Sequence, residues 1–137
     1  LPLGERLIVR SGAGRLGRFP PPGGAMAARF ASESNQVDGL VLLAAYPEGG
    51  LDLRDSGLDV LSIYGNRDLL ATPDDVLAAE PQLPTGTDFV LVDGGNHAQF
   101  GSYGRQPRDG EASIPASEQR RSIVEAVAAF LSEIDSS

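Results

Sequence analysis

Apolar positions along this chain fall into three short unbroken runs and one spaced stripe. The runs cover residues 40–45 in "VDGLVLLAAYP", 60–64 in "LDVLSIYGNRD" and 89–92 in "TDFVLVDGG". Runs this short, apolar on both faces and stopped by Gly, Pro or Asp, predict buried strands of a parallel sheet. The stripe is Ile123, Val127, Phe130, Leu131 and Ile134, at i, i+4, i+7, i+8 and i+11. That spacing predicts an amphipathic helix docked on the sheet, with Pro115 well placed to open it. Two more helices are predicted. "GGAMAARFASES" puts Ala25, Met26, Ala28 and Phe30 at helical spacing, and "ATPDDVL" offers Thr72 as N-cap, Pro73 at the first helical position and Asp75 in the first turn. Residues 94–114, rich in Gly, Pro and polar side chains, read as a loop. The alternation predicts an α/β protein with a parallel sheet of about three strands and flanking helices, whose ligands sit at the carboxyl ends of the strands.

Composition narrows the function classes. The 137 residues suffice for one domain with a core, and 41% hydrophobic with 22% charged residues reads as globular. A net charge of −8 argues against nucleic acid and anionic membranes, which repel it. No run reaches membrane-spanning length. Zero cysteines exclude a disulfide framework and a thiolate zinc site, and a single histidine excludes a multi-histidine metal centre. No cofactor is implied. No signal-peptide pattern opens the sequence, which favours a cytoplasmic location if residue 1 lies near the true start.

The charge is uneven. Residues 1–30 hold five arginines and one glutamate, while residues 31–137 hold six arginines and 18 acids. Residues 1–22 are rich in Gly, Pro and Arg, with "RLIVR" as their one apolar run. They read as an irregular arm ahead of a domain over residues 23–134.

Two ionisable side chains fall at the favoured edge. Asp68, in "GNRD", follows the second run, and His97, in "GGNH", follows the third. A carboxylate that fixes the tautomer of an imidazole is the orienter–base half of a catalytic triad. Both also suit plain turn residues, because Asp after a strand and His in a Gly-rich turn bond well to local backbone.

"GGAMAARFA", "VDGLVLLAAYP", "LSIYGNRDLLATPDDV" and "GGNHAQFGSYG" together resemble the α/β-hydrolase superfamily, in its bacterial branch related to the dienelactone hydrolases. The resemblance runs from residue 23 to about 134, the C-terminal half of a family member. It implies a partial α/β-hydrolase fold, Asp68 as triad acid and His97 as general base. It also implies a small-molecule ester-like substrate in complete relatives.

The same resemblance exposes a gap. Similar family members read Gly-His-Ser-Leu-Gly-Gly before Ala-Met-Ala, and here the chain reads "FPPPGGAMA", with Pro21 in the place of the serine. Proline has no hydroxyl, its φ is locked near about −65°, and Pro22 has no N–H to give an oxyanion. Ser11 and Ser102 lie in no G-x-S-x-G. The expectation is a C-terminal part of a serine hydrolase that keeps Asp68 and His97 but lacks the nucleophile, from an incomplete or frame-disrupted copy. The alternative is a non-catalytic remnant that binds a ligand or partner. Without its N-terminal neighbour the strand at 40–45 would expose an apolar edge, unless "RLIVR" pairs there. Leu40, Leu42 and Phe30 would stay half exposed, and self-association through that edge would follow.

Overall fold

The computed structural model describes residues 7–11, 38–47, 49–101 and 104–136. The three apolar runs form strands β2 (Gly39–Leu43), β3 (Asp59–Gly65) and β4 (Asp88–Val92). They are parallel neighbours, as their uninterrupted apolar character predicts. A fourth strand, β1 (Leu7–Ser11), joins them parallel to β2, with Leu7 opposite Gly39 and Ser11 opposite Leu43. The sheet order is β1-β2-β3-β4.

Strand β1 takes the place left open for "RLIVR" beside β2, and the rest of residues 1–22 lies outside the described residues. "RLIVR" is only five residues long, but two β-branched residues at its centre suit an edge strand once β2 offers a partner. Leu40 and Leu42, expected half exposed, are 0% exposed. Their edge is covered by β1, and Leu53, Leu58 and Leu83 close over their face. Phe30 and the helix expected at residues 25–30 lie outside the described residues, as do Pro21 and Pro22.

The core has two layers because strand side chains alternate. Leu40, Leu42 and Val60 point into one, with Leu53, Leu58 and Leu83. Val41, Leu43, Leu61 and Ile63 point into the other, with Val76, Val92, Phe100 and Phe130. The short helix α1 (Pro73–Leu77) starts as its sequence predicts. The Thr72 hydroxyl accepts from the Asp75 amide at 3.1 Å, and the Asp75 carboxylate accepts from the Thr72 amide at 3.3 Å. The long helix α2 (Ala116–Ser136) lays Ile123, Val127, Phe130 and Ile134 on the second layer. Pro115 lies just outside it and accepts from the Glu118 and Gln119 amides. Among the described residues no helix is long and apolar enough to cross a membrane.

Candidate functional site

Parallel strands deliver all their carboxyl ends to one edge, so the loops after β3 and β4 leave side by side. The sequence "GNRD" then stitches them together. Gly65, at the end of β3, lies so close to Gly95 that an added methyl would overlap the Gly95 carbonyl. That carbonyl accepts from the Arg67 amide at 2.9 Å. Asn66 reaches across with both ends of its amide: Nδ2 donates to Asp93 at 2.7 Å and Oδ1 accepts from the Gly94 amide at 2.8 Å. Gly94 sits at φ +89°, where a side chain is strained, and a Cβ there would meet the Ser113 hydroxyl at 2.5 Å.

These contacts bring Asp68 and His97 together. Nδ1 of His97 lies 2.8 Å from Oδ2 of Asp68, and the side chains are 7% and 0% exposed. An ionised carboxylate only accepts, so opposite it the imidazole donates from Nδ1, and a neutral ring in that tautomer leaves Nε2 as an acceptor. Burying a carboxylate is costly unless its lone pairs are filled. Here Oδ1 accepts from the Leu70 and Ala71 amides, both at 2.8 Å. Among the described residues Nε2 has no hydrogen-bond partner. The arrangement can hold an imidazole in one tautomer and offer its second nitrogen as a proton acceptor. Leu69 and Leu70 follow Asp68 directly and stand 62% and 37% exposed, an apolar surface beside the pair.

The other sequence candidates fall differently. Ser102 lies outside the described residues. Ser11 ends β1 opposite Leu43, at the same edge of the sheet as the pair. Among the described residues no cluster of three or more His, Asp or Glu side chains could hold a metal ion. A cavity of about 560 Å³ is lined by Arg54, Glu80, Leu83, Thr87 and Phe89. None of its lining residues belongs to the loops that carry Asp68 and His97.

Sequence reading missed Gln119. It is 0% exposed, donates from Nε2 to the Asn96 carbonyl at 3.0 Å, and accepts at Oε1 from Gln99 Nε2 at 2.8 Å. A signal existed: Gln119 is one turn before Ile123 on the apolar stripe, a place where a polar side chain needs a reason.

Comparison with known proteins agrees with the fold. The family model described as alpha/beta hydrolase family matches residues 21–121. An esterase domain of a Rhodothermus marinus protein superposes with a TM-score of 0.58 at 11% identity, over 91% of this chain and 60% of that one. A dienelactone hydrolase-like promiscuous phosphotriesterase from metagenomic libraries gives 0.55 at 19% identity, over 82% of this chain and 48% of that one. An alpha-beta serine hydrolase homologue from Coxiella burnetii gives 0.48 at 24% identity, over 56% and 37%. For the esterase domain and the phosphotriesterase the likeness is one of fold alone, and the chain spans less than two thirds of each of the three structures. No curated protein matches the sequence.

Proposed function

The chain belongs to the alpha/beta hydrolase family, and from that premise we propose that Asp68 and His97 are the acid and base of a serine-hydrolase triad. Complete relatives of this kind would cleave carboxylic esters or similar acyl bonds. The observation that carries the reading is the buried 2.8 Å contact between Nδ1 and the carboxylate, 29 positions apart in sequence. A turn residue has no need of it, whereas a general base must keep one tautomer while it takes a proton. The exposed Leu69 and Leu70 suit the apolar part of an ester.

In this reading the chain is a C-terminal part of the enzyme without its nucleophile. Pro21 cannot form an acyl-enzyme, and Pro22 cannot donate an N–H to the oxyanion. Losing one oxyanion donor alone costs about 100- to 1000-fold in rate. The expected outcome is no turnover of an activated aryl ester and no labelling by a serine-directed fluorophosphonate. Stoichiometric labelling of a serine overturns the reading, and peptide mapping would show whether Ser11 or Ser102 is the one.

The two prolines also favour a second reading, a non-catalytic remnant that binds a ligand or partner. The DNA upstream separates the two: a reading frame encoding G-x-S-x-G and further strands supports the first. Self-association would use the outer edge of β1, because β2 is covered. Light scattering on the purified chain tests it, and a monodisperse monomer removes it.

A further inference from the structure

Residues 108–110, Arg-Asp-Gly, lie in the polar loop well past the histidine turn, and nothing in their sequence singles them out. Arg108 is exposed yet holds φ +69°, a left-handed conformation that strains a non-glycine residue. The strain delivers Asp109 to a defined place. Its Oδ1 accepts from the His97 amide at 3.2 Å and the Gly110 amide at 2.8 Å, and its Oδ2 accepts from the Ala98 amide at 2.9 Å.

The His97 and Ala98 amides open the 3-10 turn Ala98–Phe100, where the first N–H groups have no partner inside the turn. A residue preceding such a turn often caps it with its own side chain. His97 cannot, since its ring is engaged with Asp68. Asn96 takes the Gln99 amide at 3.0 Å, and Asp109 takes the His97 and Ala98 amides from a remote loop. Gly110 completes the grip: its carbonyl accepts from Asn96 Nδ2 at 2.9 Å, and a methyl on its Cα would overlap the Arg67 carbonyl. Asp109 and Gly110 thus touch the base loop at His97 and the acid loop just before Asp68.

We propose that Asp109 is a positioning residue for His97, a carboxylate that clamps the backbone of the base so that its Nδ1 meets Asp68. This rests on the reading of His97 as the base. A 2.8 Å contact moved by about 1 Å is no longer a hydrogen bond, so the backbone under the imidazole must be held to a fraction of that distance.

The test is nuclear magnetic resonance on the intact chain, reading amide exchange at His97 and Ala98 and the imidazole Nδ1 proton. In the native protein both amides exchange slowly and the Nδ1 proton gives a downfield signal. Asp109→Ala speeds exchange of the two amides about tenfold relative to amides of β3, the value of one lost hydrogen bond, and abolishes the Nδ1 signal. Asp109→Asn, which keeps one acceptor oxygen, restores part of both. A merely structural aspartate would lower the melting temperature and leave the tautomer signal in place, and that result overturns the proposal. If Asp109→Ala does not fold, the native protein still decides, since exchange at His97 and Ala98 as fast as at residues 104–107 overturns it equally. Failure of the Asp68–His97 pair reads differently, because the Nδ1 signal is then missing from the native protein itself.

Discussion

The loop after β2 and the loops after β3 and β4 leave the same edge of one sheet, yet they are held by different means. In residues 49–58 the polar contacts are mostly local and exposed. Arg54 pairs with Asp52 two residues away at 2.7 Å, and the Ser56 hydroxyl donates to the Leu53 carbonyl at 2.7 Å. What fixes this loop is Leu53 and Leu58, both buried in the core, with help from two bonds to Gln82. In the loops after β3 and β4 the polar side chains reach far. Asn66, Asp68, Asn96, Asp109 and Gln119 each bond across 11 to 29 positions to another loop or to α2. An apolar anchor tolerates small shifts, because packing is non-directional. Hydrogen bonds do not, and they are concentrated where two ionisable side chains must meet.

The comparison can be broken at several points. Leu53→Ala should have the largest effect, a loss of about 3 kcal/mol in urea denaturation, because a fully buried leucine leaves a cavity. A loss under about 1 kcal/mol would show that the loop is not held by its apolar side chains. Gln119→Leu keeps the volume and removes the amide. Asn96 and Gln99 then lose partners, and about 2 kcal/mol should go, with faster exchange of the Asn96 amide. Unchanged stability would mean that the polar stitching is incidental. Asn66→Ala should cost less, about 1 kcal/mol, since that side chain is exposed and water can replace it.

Arg54→Ala should leave the melting temperature unmoved, because both partners of the pair are exposed. Its readout is the neighbour. The hydrogen bond from Arg54 holds the Asp52 carboxyl at about 2, and the variant should return it toward 3.8. A carboxyl depressed in the folded state stabilises above its unfolded value and loses that contribution as pH falls through about 2. Because both groups are exposed, solvent screens that contribution, and the check is a titration followed at the Asp52 side chain itself.

The sequence carried the fold wherever one short segment contained the whole signal. Strands β2, β3 and β4 could be read because each is a closed apolar run, and α1 because Thr72 and Asp75 satisfy each other within one turn. Asp68 and His97 could be read because each directly follows a strand. Strand β1 is legible only as an alternative, since "RLIVR" has no pattern of its own and gains its structure from β2. Asp109 and Asn66 gave no sign at all. Their partners are remote in sequence, and an aspartate in "RDG" or an asparagine in "GNR" reads first as a turn former.

The parallel sheet also sets an order of events. Antiparallel hairpins close within a few residues, but here paired positions are 32 residues apart for β1 with β2, 20 for β2 with β3 and 27 for β3 with β4. Closing the longest of these connections costs about 0.4 kcal/mol more than the shortest. The expected order is that the buried pair β2–β3 nucleates first and β1 docks last. Substitutions at Val41 or Leu61 should slow refolding, whereas those at Val9 should mainly speed unfolding; the reverse pattern would exclude this order. In that order, once β4 adds to β3 the loops carrying Asp68 and His97 are in register, and the contact between them should form before the last strand arrives.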